Sequence, residues 1–133
     1  MVVPPLAGSD GAVSSPTMSE QHLSAQQLIQ VAKEFGTPVY VYHAEKIAAQ
    51  YKKLTTAFSK SNVVFFYACK ALTNISVIKY LHSLGASIDC SSINEAKLAL
   101  HAGFLPQNVL YTSNGIGFDE IEEAVTFGVN INI

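Results

Sequence analysis

Five apolar residues in a row, Val63 to Tyr67, run into the small pair Ala68–Cys69 and then into Lys70. An uninterrupted apolar run of this length reads as a strand covered on both faces, the habit of parallel sheets. From Val63 onward the chain repeats as strand, short loop, helix, glycine. Strand Val63–Ala68 leads to a helix from about Asn74 to Leu84 and then Gly85; strand Ser87–Cys90 leads to helix Ser92–Ala102 and Gly103; strand Val109–Thr112 leads to helix Asp119–Phe127 and Gly128. A fourth strand, Val129–Ile133, begins as the chain stops. The strand starts at 63, 87, 109 and 129 are spaced by 24, 22 and 20 residues, the length of a tight βα unit closed by a glycine at the helix end. Such units predict parallel strands with right-handed crossovers.

Upstream the helix signals are also dense. Ser24 is placed as an N-cap with Gln27 three residues on, Leu23 and Leu28 can staple across it, and Gly36 ends the helix, whose expected buried stripe is Leu28, Val31, Ala32 and Phe35. Thr37–Pro38 breaks the chain, Val39–Tyr42 reads as a short strand, and a helix is expected from about Ala44 to Phe58, with Ile47, Ala48, Tyr51, Leu54 and Phe58 at helical spacing. Residues 1–20 are rich in Pro, Gly and Ser, without a basic start or a continuous apolar stretch, so they predict a disordered leader rather than a secretory signal. Met18 would serve as a natural start, and residues 21–133 make up the expected α/β domain.

Two architectures use such units, the doubly wound open sheet and the (β/α)8 barrel. Periodicity alone does not choose between them. A sheet ending on the apolar INI would expose a hydrophobic edge, which native proteins avoid, so the chain is expected to be the front part of a larger protein. A barrel typically takes about 250 residues, and this chain would then supply about its first four strands.

Composition narrows the function. The 133 residues suit one core, and with 49% apolar residues, 14% charged residues and a net charge of -2 there is no basic field for a phosphate backbone. Nucleic acid is excluded as an expected partner. Cys69 and Cys90 are the only cysteines, without a CxxC or a Cys/His ladder, which favours free thiols in a reducing, cytoplasmic setting over a disulfide or zinc. No apolar run approaches the ~18 residues of a membrane span. Gly-rich nucleotide loops and metal-ligand spacings are missing as well.

The candidate chemistry therefore sits at strand ends, where parallel α/β folds collect it. Lys70 comes two residues after its strand, between small neighbours, and a lysine in an apolar setting favours its neutral amine, a nucleophile able to condense with an aldehyde. Position alone also fits a solvated loop lysine. Asp89 ends the next strand in the equivalent place; adjacent strands lie ~5 Å apart, so its carboxylate can orient the amine, or it can simply cap the next helix. Glu95 stands three residues after Ser92, a capping box that accounts for it locally. Asn114–Gly115 reads as a turn with a left-handed residue, and His82 and His101 fall near helix C-termini, where capping is the simplest role.

FYACKALTNISVIKYLHSLG, Phe66 to Gly85, resembles the cofactor-attachment segment of the ornithine/diaminopimelate/arginine decarboxylase family: aromatic, small residue, any residue, lysine, then apolar Val77, Ile78 and Leu81 and a closing glycine. Gly85 to Leu100 is similar to the family's next segment, with an aspartate, a small pair and a glutamate at this spacing; FGTPVYVYHAEKI is similar to the entry to the barrel in its diaminopimelate-specific branch, and EAVTFGVNINI resembles that branch's fourth barrel strand. The likeness covers about Leu23 to Ile133. It implies a partial, alanine-racemase-type (β/α)8 barrel that binds pyridoxal 5'-phosphate, with Lys70 carrying the cofactor and Asp89 and Glu95 close to that lysine. It further implies a homodimer when full length and the decarboxylation of meso-diaminopimelate at its D-configured centre to L-lysine. Ornithine, arginine or carboxynorspermidine as substrate, or a non-catalytic cofactor carrier, remain the alternatives. The TSNGIG loop departs from the family's usual Gly-Asn-Asn-Lys, so the resemblance assigns no contact to Asn114. A ring-stacking histidine, a phosphate loop and an acid for the pyridine nitrogen would all lie beyond Ile133, and the isolated chain is expected to be inactive.

Overall fold

The computed structural model describes residues 2–3, 22–113 and 115–132, and the chain divides into two compact units, Met1–Leu54 and Thr55–Ile133. In the first, helix α1 (Ala25–Phe35) starts on the expected capping box: the Ser24 backbone N–H donates to Gln27 Oε1 at 2.7 Å and the Gln27 N–H donates to Ser24 Oγ at 3.2 Å. Its apolar stripe does not behave as expected. Leu28 is 45% and Phe35 52% exposed, and α1 has no buried residue. Capping and periodicity are local and make the helix by themselves, whereas burial needs a facing surface, and among the described residues nothing covers this one.

Strand β1 (Val2–Val3) pairs in parallel with β2 (Tyr42–His43), Val2 opposite Tyr42 and Val3 opposite His43. Residues 2 and 3 therefore depart from the expected leader; the rest of that expectation lies outside the described residues. Strand β2 is also later and shorter than Val39–Tyr42, because a strand exists only where a ladder partner does and the partner is two residues long. Helix α2 (Ala44–Ala57) comes directly after it.

The second unit holds the repeat. Strands β3 (Phe66–Ala68), β4 (Ser87–Cys90), β5 (Val109–Thr112) and β6 (Asn130–Asn132) form one parallel sheet in the order β3-β4-β5-β6. Helices α3 (Ile75–Ser83), α4 (Ile93–Ala102) and α5 (Phe118–Phe127) connect them. Strand β3 starts three residues later than expected: the ladder opens where the Ser87 N–H donates to the Phe65 carbonyl at 3.3 Å, and Val63 and Val64 before it are exposed. Asn74 caps α3, its Oδ1 accepting from the N–H groups of Ser76 and Val77. Gly103 and Gly128 end α4 and α5 at φ 105° and 69°, a left-handed turn that a side chain would resist.

Winding decides the architecture. When strand order matches chain order and every crossover is right-handed, all helices fall on one face, whereas a doubly wound sheet must reverse its order. Here α3 packs beside α4, α4 beside α5, and α4 against β4 and β5, which is the winding of a barrel wall. On the covered face Ile88, Cys90, Val109 and Tyr111 are fully buried with Ala96, Ala99 and Ala124 of the helices. Each large aliphatic side chain buried there stabilises the unit by about 1.5–3 kcal/mol. The opposite face carries Phe66 and Ala68, Ser87 and Asp89, Leu110 and Thr112, Asn130 and Asn132, aligned by the register Phe66↔Ser87, Ala68↔Asp89, Asp89↔Leu110, Leu110↔Asn130 and Thr112↔Asn132. It is the more open and more polar of the two. Asn130 anchors the edge strand, its Nδ2 donating to the carbonyls of Gln107 at 2.9 Å and Val109 at 3.2 Å.

The Tyr111 hydroxyl is buried without a hydrogen-bond partner among the described residues. Since an unpaired buried hydroxyl contributes a desolvation penalty and no bond, Tyr111→Phe is expected to leave the urea midpoint unchanged or to raise it. Asn74→Ala, which uncaps α3, should destabilise by about 1 kcal/mol in the same titration.

Candidate active site

Lys70 sits in a single 3-10 turn, Cys69–Ala71, that leaves the carboxyl end of β3. The turn is closed by the Leu72 N–H donating to the Cys69 carbonyl at 3.1 Å, and the Tyr67 hydroxyl donates to the Leu72 carbonyl at 3.2 Å. A side chain from the strand thus holds the far end of the turn that carries the lysine. Tyr67 was legible in the sequence only as an apolar strand residue; its hydroxyl, five residues short of Leu72, is the signal that could have marked it.

Within the turn, Cys69 is fully buried and Lys70 is exposed. The dry setting expected for the amine from its small neighbours is therefore not provided by these residues. Small size removes crowding but not water.

Asp89 lies on β4 directly across from Ala68, two residues before Lys70. Its Oδ1 is buried and accepts no hydrogen bond from the described residues. Burying a carboxylate oxygen without a donor is costly, so this atom is set up for a donor that the described residues do not supply. Glu95 fills the local role its spacing suggested: its Oε2 accepts from the Ser91 N–H at 2.7 Å while its own N–H donates to Ser92 Oγ at 3.2 Å, at the start of α4.

Both carboxylates also register on the thiols of Cys69, within the lysine turn, and Cys90, at the end of β4. Burial, then the charges of Glu95 and Asp89, push the Cys69 thiol up to about 11, against a lowering by a hydrogen bond with Cys90. Burial pushes Cys90 up further still, with Cys69, Glu95 and Asp89 adding to the shift. The parallel register thus brings Lys70, just after β3, and Asp89, on β4, to the same strand ends, and the charges of Asp89 and Glu95 both act on the buried thiol pair. Of the turn after β5, Gly115 has the left-handed φ of 70° that was expected, while Asn114 lies outside the described residues. His82 turns to packing rather than to the capping expected of it; its ring lies on Phe104 with centroids 4.8 Å apart. No group of three or more His, Cys, Asp or Glu residues that could hold a metal occurs among the described residues.

Known proteins share this arrangement of sequence and fold. Residues 44–133 match the model of the family described as pyridoxal-dependent decarboxylase, pyridoxal binding domain. The chain belongs to that family. It is 43% identical over 107 residues to a diaminopimelate decarboxylase of Methanothermobacter thermautotrophicus, a stretch that covers 79% of this chain and 25% of that relative. Among solved structures, a diaminopimelate decarboxylase variant from Helicobacter pylori complexed with L-lysine superposes with a TM-score of 0.74 at 30% identity, covering 79% of this chain and 27% of that one. A lysine/ornithine decarboxylase from Vibrio vulnificus complexed with putrescine superposes at 0.73 with 28% identity, covering 84% and 32%. The chain thus spans about a quarter to a third of the length of these relatives.

The residues present fit the family's pyridoxal group. An open primary amine at a strand end can take its aldehyde, and the partnerless Asp89 Oδ1 on the neighbouring strand can accept from a donor brought with it.

With its thiol pushed up to about 11, Cys69 carries thiolate at only about one part in a thousand at pH 8. Iodoacetamide at pH 8 is expected to modify neither Cys69 nor Cys90 in the folded protein and both in urea, read by peptide mass.

Proposed function

We propose that the full-length protein carrying this chain is a pyridoxal-phosphate-dependent carboxy-lyase that converts meso-diaminopimelate to L-lysine and carbon dioxide. The observation that carries this is the delivery of Lys70 to the rim of a barrel-type parallel sheet beside a buried carboxylate oxygen with no donor among the described residues. The 43% identity to a diaminopimelate decarboxylase supports the choice of substrate.

When bound, pyridoxal phosphate supplies an electron-accepting ring for the charge left as carbon dioxide departs. The chain's own residues hold and orient. The Lys70 amine would hold the cofactor through its aldehyde. Asp89 Oδ1, buried without a donor among the described residues, would accept a hydrogen bond from a donor brought to that strand end. Glu95, fixed by Ser91, adds negative charge on the same side and holds the end of α4 in place. One carboxyl carbon leaves as carbon dioxide, and a proton takes its place on the carbon that held it.

A lysine or ornithine decarboxylase is the second reading, supported by the Vibrio vulnificus structure complexed with putrescine. A homodimer and a cytoplasmic location go with the resemblance; no helix among the described residues is long and apolar enough to cross a membrane.

Borohydride reduction of the full-length protein loaded with pyridoxal phosphate should place the label on the peptide holding Lys70, and a label elsewhere overturns the assignment. Lys70→Ala should lower lysine release by at least about 1,000-fold, the scale expected for loss of a covalent anchor. Supplying meso-diaminopimelate, ornithine, lysine and arginine in parallel separates the two readings by which one yields carbon dioxide.

A further inference from the structure

Two residues at the same rim have no place in that chemistry. Thr112 ends β5 and Asn132 ends β6, and the register sets them opposite each other. They lie one step beyond the row formed by Ala68, Asp89, Leu110 and Asn130, on the same open face, because side chains two residues apart along a strand share a face. Lys70 leaves the carboxyl end of β3 in the 3-10 turn that follows Ala68, so the lysine, the threonine and the asparagine all stand at the carboxyl edge of the same sheet.

What separates Asn132 from Asn130 is how its amide is used. The Asn130 amide is spent on the carbonyls of Gln107 and Val109. Asn132 is exposed and Thr112 half-buried, and neither side chain makes a hydrogen bond among the described residues. An amide and a hydroxyl side by side, about 5 Å apart by strand spacing, present adjacent uncharged donors. Donors of this kind suit an oxygen acceptor of a ligand seated over the strand ends.

We propose that Thr112 and Asn132 form a two-donor subsite that hydrogen-bonds an anionic oxygen of the ligand held by Lys70. That oxygen belongs either to pyridoxal phosphate or to the carboxylate of the amino-acid substrate. The subsite rests on the reading of Lys70 as the cofactor's anchor. The pair positions the ligand and takes no part in bond breaking.

The test uses full-length protein and the variants Thr112→Val, Asn132→Ala and Asn132→Asp. Pyridoxal phosphate affinity is measured by absorbance titration of the apoprotein, and kcat and KM with meso-diaminopimelate are measured at saturating cofactor. Loss of one donor is expected to raise one constant about 3- to 10-fold, with a larger rise for Asn132→Asp, whose charge repels the acceptor. A rise in the cofactor dissociation constant assigns the oxygen to pyridoxal phosphate. A rise in KM alone, with kcat and cofactor affinity kept, assigns it to the substrate. Asn130→Ala serves as the comparison and should lower the unfolding midpoint while leaving both constants within about twofold. If the wild type binds pyridoxal phosphate and all three rim variants match it within about twofold in both constants, the subsite is overturned and the cofactor reading stands. If the wild type binds none, both fall.

Discussion

The ladder of parallel hydrogen bonds joining β3 to β4, β4 to β5 and β5 to β6 points every strand the same way. Residues leaving the strands must then collect on one rim, however far apart they are in sequence. Lys70, Asp89, Thr112 and Asn132 come from four different segments, and what brings them together is this shared polarity together with an unbroken register. The right-handed crossover does the complementary job. By sending α3, α4 and α5 to a single face, it leaves the other face, and with it the polar half of each strand's alternation, open to a ligand.

The covered face tunes the rim from below. Cys69, within the lysine turn, and Cys90, at the end of β4, fill the core as small, protonated groups, and the two carboxylates nearby hold them so. Burial and negative charge act in the same direction on a thiol, so the pair behaves as packing rather than as reactive sulfur.

Much of this was readable in advance because it is local. The caps at Ser24 and Ser92, the closing glycines at 103 and 128, and the strands at Ser87–Cys90 and Val109–Thr112 all rest on interactions within a few residues or on strict alternation. The likeness around Lys70 anticipated the family. What could not be read depends on partners. Strand β3 loses Val63–Phe65 because β4 begins at Ser87 and offers no ladder earlier, and the α1 stripe stays exposed for want of a facing surface among the described residues. The expected dryness around Lys70 is of the same kind, since solvent exclusion belongs to whatever covers a group and not to its sequence neighbours. The choice between barrel and doubly wound sheet was likewise beyond periodicity, because strand order in space is a non-local property.

The Asn130 clasp on Gln107 and Val109 bears on how faithfully the outermost strand is laid down. A three-residue edge strand has little of its own to prevent slippage, and a shift by one position would turn its side chains over. A shift by two would preserve the facing but lift Asn130 off its carbonyls, and only Asn132 drawn back into its place could remake the clasp. An asparagine that grips Gln107 and the first residue of β5 therefore works as an indexing tooth: while it is Asn130 that holds, Asn132 is the side chain that arrives at the mouth of the sheet.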